Sequence, residues 1–283
     1  MTYVRVSVYM KNSIERCTYF TGRLGKKIIN GPATGKTPVN QLAYQDKKAA
    51  RILRWKLNMN FGEGDLFLTL TYPPRTPIMP EVARHDIKNF LDTLRRIYRR
   101  AGLKLKYAYV AGRTKRGMVH FHMVVNKFDT DVITRAWQNI VGNFDTPYPR
   151  VNIRHLDGSR NYEKLADYMI KNTRETFYSG SRISKKRFCA SLNLEMPYIE
   201  KEIIDAKKWR KDPKPIKGYV IDKNSLYDGY GWSDEQGAFK SCRIQRYTMI
   251  KQDIAIKYKR RRKKSANIDV PEIIEEWEDI ISE

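Results

Sequence analysis

Two kinds of residue in this chain stand at spacings that could do chemistry. The first is a histidine pair in Met118-Val119-His120-Phe121-His122-Met123-Val124-Val125, a nearly unbroken run of β-branched and apolar residues. Gly117 precedes the run as a turn signal, and the pattern predicts a buried strand. Side chains on a strand alternate between faces, so His120 and His122 share one face and Phe121 takes the other. Two imidazoles one strand repeat apart can close on one metal ion from a rigid platform. An isolated His-x-His pair is more often satisfied by hydrogen bonds or solvent, so the rest of the chain has to decide between these uses.

The second is Tyr168, in Asn161-Tyr162-Glu163-Lys164-Leu165-Ala166-Asp167-Tyr168-Met169-Ile170-Lys171-Asn172. Helical spacing makes Tyr162, Leu165, Ala166, Met169 and Thr173 its buried stripe. Tyr168 is turned about 100° from Met169 and need not be a core residue. Lys164 and Lys171 flank it at i−4 and i+3, and a basic setting favours the phenolate over the unperturbed pKa of about 10. Beside a metal pair, such a tyrosine is a candidate nucleophile. The remaining histidines weigh less. His85 falls on a polar part of its helix and reads as solvated, and His155 ends a strand close in sequence to Tyr168. Thr69 and Thr71 could line the site face, although strand propensity explains them equally well.

These residues need elements to hold them. Leu66-Phe67-Leu68-Thr69-Leu70-Thr71-Tyr72 is a strand started by Gly62 and Gly64 and stopped by Pro73-Pro74, with Phe67, Thr69 and Thr71 on one face. Residues 45–58 have the spacing of a basic amphipathic helix. Pro80 opens a helix of about five turns whose stripe is Ile87, Phe90, Leu91, Leu94, Ile97 and Tyr98, ended by Gly102. A strand at 107–111, a basic turn and the histidine strand follow, close enough to pair as a hairpin. A helix over 129–141 with Trp137 on its apolar side, an alternating strand over 150–155 and a helix over 162–176 complete the set. The expected class is α+β: a central antiparallel sheet carrying the His-x-His strand, with helices packed on it. Three regions are expected: an N-terminal extension over 1–44, the main domain over 45–200 and a C-terminal accessory region over 201–283. The first holds at most a hairpin. The last has a basic block at Lys257 and Lys259–Lys264 that suits a nucleic-acid contact, then an amphipathic acidic tail over 269–283.

Charge narrows the partners. Fifty-five Lys and Arg stand against 31 Asp and Glu, for a net charge of +24, which points to a polyanion and most simply to nucleic acid. With 41% hydrophobic residues the chain is a folded protein rather than a disordered one. Cys17, Cys189 and Cys242 are few, odd in number and widely spaced, which excludes a disulfide framework and fits a reducing cytoplasm. No apolar run approaches the roughly 20 residues of a membrane span, and the N-terminus lacks a signal-peptide layout.

In order and spacing, Phe67-Leu68-Thr69-Leu70-Thr71-Tyr72, His120-Phe121-His122 and Tyr168-Met169-Ile170-Lys171 resemble the three motifs of the HUH-type endonucleases. More narrowly they resemble rolling-circle replication initiators of bacterial mobile elements, phages and plasmids. Lys186-Arg187-Phe188-Cys189-Ala190-Ser191-Leu192-Asn193-Leu194 resembles the Ser-Arg-Asn-Leu segment of bacterial members, with Leu192 in place of Arg. The resemblance covers about residues 45–200.

The resemblance implies that His120 and His122 hold Mg²⁺ or Mn²⁺ against a scissile phosphate of single-stranded DNA at a replication origin. Tyr168 would attack phosphorus and Lys171 would orient it or offset charge. A host helicase and polymerase are further implied partners, in the cytoplasm of a bacterial host. The family often takes a third ligand, commonly a carboxylate, from the strand paired with the histidine strand. Here residues 107–113 contain no Asp, Glu or His, and Glu163 and His155 are the nearest substitutes. Positions 164 and 172 are Lys and Asn, which indicates the single-tyrosine class, and Tyr162 falls on another face. A single-tyrosine transposase or relaxase shares these motifs. A non-catalytic nucleic-acid-binding module would explain the charge alone, and a zinc hydrolase would need a third ligand and a general base that the sequence does not show.

Overall fold

The computed structural model describes residues 2–21, 39–73, 77–114, 116–142, 151–158, 161–180, 182–205, 207, 209–232 and 241–255. The basic block and acidic tail after residue 255 lie outside the described residues. In chain order the elements are β1 (Thr2–Tyr9), β2 (Ser13–Thr21), α1 (Val39–Asn60), β3 (Leu66–Thr71), α2 (Pro80–Arg100), β4 (Tyr107–Arg113), β5 (Val119–Val125) and α3 (Thr130–Val141). There follow β6 (Val151–His155), α4 (Glu163–Asn172), α5 (Arg174–Tyr178), β7 (Cys189–Ala190), β8 (Tyr198–Asp205), β9 (Tyr219–Ile221), β10 (Tyr227–Trp232) and β11 (Ser241–Lys251). The fold is α+β with antiparallel sheets. No helix among the described residues is long and apolar enough to cross a membrane.

The chain divides into two compact units, with boundaries at Gln45/Asp46 and Glu195/Met196. The unit that runs from Asp46 to Glu195 is built on a five-stranded sheet of order β6-β3-β5-β4-β7. Alternation along its strands sorts side chains into two cores. Leu66, Leu68 and Leu70 of β3 and Phe121 and Met123 of β5 face α2 and α3, where Phe90, Leu94 and Trp137 fill the space. Phe67 of β3 and Val124 of β5 face the other way, against Leu53 and Leu57 of α1 and Ala166 and Met169 of α4. Both helix layers follow from apolar stripes of period 3.6 over strands of period 2.

Local signals fix the ends. Pro80 occupies the first turn of α2, and Gly102 follows the helix with φ +71°, the left-handed conformation that closes a helix C-terminus. Asp129 caps α3 by accepting from the backbone N–H groups of Asp131 and Val132 at 2.9 and 3.0 Å. Trp137 is fully buried and donates its indole N–H to the Thr71 carbonyl at 2.9 Å, tying α3 to the end of β3. The helix expected over 162–176 is divided at Thr173, whose buried hydroxyl donates back to the Met169 carbonyl at 3.0 Å.

The other unit corrects the expectation of a hairpin and loops. β1 and β2 do pair, but within a six-stranded sheet of order β10-β11-β2-β1-β8, with β9 also on β11. The Gly-rich stretch 227–232 reads as a loop in the sequence and is a strand. Gly231 lies under Ile244 of β11, where a Cβ would meet the Ile244 methyl at 3.0 Å, so the glycine permits close pairing instead of breaking it.

Candidate active site

β5 is the middle strand of its sheet, hydrogen-bonded to β3 on one side and β4 on the other. His120 lies opposite Thr71 and Gly112, and His122 opposite Thr69 and Val110. Both imidazoles are buried on the face covered by α4, with ring centroids 4.8 Å apart. Phe67 stacks on His122 at 5.7 Å and meets the Tyr168 ring edge-on at 6.4 Å. Thr69 Oγ1 sits 3.2 Å from His122 Nδ1. With Nδ1–H donated to that hydroxyl, the ring presents the lone pair of Nε2 outward.

What Nε2 faces is Tyr168. The phenol oxygen of Tyr168 lies 3.3 Å from His122 Nε2, and Asn172, one turn later on α4, places its side-chain nitrogen 3.4 Å from that oxygen. The amide oxygen of Asn172 stands 3.0 Å from His120 Nε2. Tyrosine, asparagine and both histidines thus form one closed cluster between β5 and α4.

Gly112 makes room for it. A Cβ at this position would lie 3.0 Å from Cε1 and Nε2 of His120 and 2.9 Å from the Thr173 methyl. The space that a side chain on β4 would take is filled by the His120 ring, which is why the paired strand offers no third ligand.

Both ends of α4 are held to α1. Tyr162 N–H donates to Asn58 Oδ1 at 2.9 Å, and Arg54 pairs with Glu163 at 2.7 Å. At the far end Arg187 donates to the Ile170 carbonyl at 2.7 Å and pairs with Asp46 at the same distance. Those carbonyls would otherwise lack partners at the helix terminus. The helix is therefore fixed in the orientation that turns Tyr168 toward the histidines.

Burial lowers the pKa of His120, and lowers that of His122 well below the ordinary histidine value, with the neighbouring His120 adding to the effect. Neutral imidazoles are the form that coordinates a cation. The tyrosine departs from expectation. Its pKa is not lowered but pushed up to about 12, because burial outweighs the opposing charge of Arg154. That cation is not one of the flanking lysines: Lys164 and Lys171 are exposed on α4.

Among the described residues no His, Cys, Asp or Glu joins the two histidines in a group that could hold a metal. Glu163 is engaged by Arg54, and His155 is exposed at the end of β6. The third donor the geometry offers is Asn172. Ligands about 2.1 Å from an ion on adjacent octahedral positions stand about 3 Å apart, and Asn172 Oδ1 and His120 Nε2 are 3.0 Å apart. Two neutral imidazoles and an amide oxygen could hold a divalent cation and would leave its charge uncompensated for an anionic substrate.

Asn172 and Arg154 are the site residues that sequence reasoning passed over. Asn172 stands at i+4 from Tyr168, the spacing of a shared helix face, and was visible there. Arg154 shares the site face because β6 pairs with β3 and sets it opposite Phe67, a pairing no local signal announces. His85 is exposed on α2, as its polar surroundings suggest. The Ser191–Leu194 segment serves β4 instead: Ser191 Oγ accepts from Tyr107 N–H at 3.1 Å, and Asn193 donates to the Leu105 carbonyl at 3.0 Å. Leu192 is fully exposed, so this departure from the motif does not disturb the core.

No curated protein and no solved structure matches the chain. A family model described as a replication-associated protein, of the ORF2 group, matches residues 65–173, from the residue before β3 to the residue after α4, and this similarity points to a role in replication initiation.

Proposed function

We propose that the protein is a replication-initiating endonuclease with an HUH-like domain, which nicks and rejoins single-stranded DNA at an origin through a 5′-phosphotyrosine at Tyr168. The observation that carries this reading is the 3.3 Å approach of the Tyr168 hydroxyl to His122, inside a cluster closed by Asn172 and His120. A nucleophile lies against a neutral, cation-ready donor set on a rigid strand and a helix clamped at both ends.

Mg²⁺ or Mn²⁺ held by His120, His122 and Asn172 would supply Lewis acidity at the scissile phosphate and a template for the strand. The phenol is protonated at neutral pH, since its pKa is about 12. Attack by its oxygen forms the Tyr–O–P bond and breaks the P–O3′ bond. The proton lost from the phenol is balanced by the one gained on the departing 3′-oxygen. Arg154 offsets negative charge on the tyrosine oxygen as the proton leaves. Lys171, exposed three residues after Tyr168, is placed to contact the phosphoryl oxygens of an incoming strand. One phosphodiester replaces another, so rejoining is nearly isoenergetic and needs no ATP, while the free 3′-hydroxyl can prime a host polymerase.

The test is to incubate the full chain with single-stranded DNA labelled at its 3′ end, both random sequence and the element's own origin, with Mn²⁺, followed by denaturing electrophoresis. The reading predicts label on the protein band, abolished by chelator and by His120→Ala/His122→Ala. Salt-sensitive binding without any adduct on either DNA would overturn it in favour of a non-catalytic binding module.

A further inference from the structure

The face of the five-stranded sheet turned away from the histidines holds a cavity of about 340 Å³ between α2, β4, β5 and the segment before β7. Tyr107 and Tyr109 of β4 form an aromatic wall, with ring centroids 6.2 Å apart and planes within 29° of each other. Phe121, the residue between the two histidines, closes the floor edge-on to Tyr109. The rim is basic. Arg84, Lys88 and Arg95 lie along one stripe of α2, and Lys185 stands on the opposite side. Arg84 and Arg95 are anchored to Glu81 and Asp92. Arg95 also lies over the Tyr107 ring at 5.7 Å and donates to its hydroxyl at 2.9 Å. Lys88 and Lys185 are exposed. Among the described residues no carboxylate lines the cavity.

Aromatic rings and a guanidinium plane are the surfaces on which unpaired bases stack. Lysines at the rim supply the charge a phosphate requires. The volume falls near the small end of ligand pockets, about 300 Å³ upward, which suits one nucleotide. We propose that this cavity binds a single nucleotide of unpaired DNA, its base against Tyr107 and Tyr109 and its phosphate between Lys88 and Lys185. This is a second DNA contact on the reverse side of the histidine strand, separate from the tyrosine chemistry.

The experiment uses the full chain in chelator, so that no strand transfer intervenes. A single-stranded 12-mer carrying 5-iodo-deoxyuridine is photo-cross-linked, and deoxyadenosine 5′-monophosphate is titrated in as competitor. Cross-links should map to the peptide holding Tyr107 and Tyr109. Their yield should fall at least tenfold in Lys88→Glu/Lys185→Glu. An equal charge change at exposed Lys104→Glu/Lys127→Glu, outside the cavity, controls for loss of general attraction and should leave the yield within about twofold. Tyr168→Phe should cross-link like wild type, which separates this inference from the proposed nicking. Cross-links that map elsewhere, or that survive the Lys88/Lys185 change, overturn the proposal. Binding of the mononucleotide that the 12-mer cannot displace would also overturn it, since the ligand would then be a free nucleotide.

Discussion

The side chain of Asn172 bridges the two halves of the candidate site, its oxygen 3.0 Å from His120 Nε2 and its nitrogen 3.4 Å from the Tyr168 hydroxyl. A single residue therefore reports on both the donor set and the nucleophile. Asn172→Leu, close in size and without donor or acceptor, should weaken Mn²⁺ binding by about 10- to 100-fold with little effect on folding, because the residue is exposed. Asn172→Asp keeps an oxygen in place, adds charge and should restore or tighten binding. Calorimetric titration of Mn²⁺ checks both. Equal affinity in wild type and Asn172→Leu would remove Asn172 from the donor set.

Gly112 offers a test of the space around His120. A methyl group there meets the imidazole at 3.0 Å and the Thr173 side chain at 2.9 Å, so the ring or α4 must shift. Gly112→Ala should cost about 1–3 kcal/mol in urea unfolding, the usual cost of overpacking, and should weaken Mn²⁺ binding as well. A variant with wild-type stability and metal affinity would show that the His120 ring has room the structure does not give it.

Much of this was legible in the chain. The histidine strand, the strand of Phe67 and Thr69, the α2 stripe and the tyrosine helix all follow from periodicity and punctuation, because each element buries one face against a partner of matching period. What could not be read depends on pairing across sequence. Arg154 reaches the site face only through the β3–β6 register. The tyrosine's raised pKa is set by burial under neighbours that its own helix does not reveal, so the flanking lysines gave the wrong sign. The six-stranded sheet joins strands from the two ends of the chain, and β8 is exposed along most of its length, so it lacks the alternation that marks a half-buried strand.

Stability should depend on pH through the histidine pair. Burial holds both folded-state pKa values below the ordinary value, most strongly at His122. Below about pH 6.5 the unfolded chain binds protons that the folded chain refuses, so stability falls as pH falls. The urea midpoint should therefore drop between about pH 7.5 and about pH 5.5, and the drop should shrink in His122→Asn. An identical pH dependence in that variant would assign the effect to other groups.

Arg187 should act on the site from a distance. Its guanidinium, 9% exposed, pairs with Asp46, 13% exposed, and holds the Ile170 carbonyl at the end of α4. Removing one partner of such a pair leaves the other charge buried, at a cost of about 3 kcal/mol or more. Arg187→Ala should show that loss in urea unfolding, and Arg187→Lys should recover only part of it, since an ammonium cannot serve carboxylate and carbonyl with the same fork. Full recovery with lysine would mean that charge alone matters there.

The central claim is that Tyr168 becomes covalently joined to DNA, and a comparison of two tyrosines tests it most directly. Tyr162 lies on the same stretch of chain but is buried against α1, and its hydroxyl finds no hydrogen-bond partner among the described residues. Wild type, Tyr162→Phe and Tyr168→Phe are each incubated with 3′-labelled origin DNA and Mn²⁺, and the denatured protein bands are counted. The account predicts wild-type labelling in Tyr162→Phe and none in Tyr168→Phe. Label retained by Tyr168→Phe would contradict it and move the nucleophile to another residue.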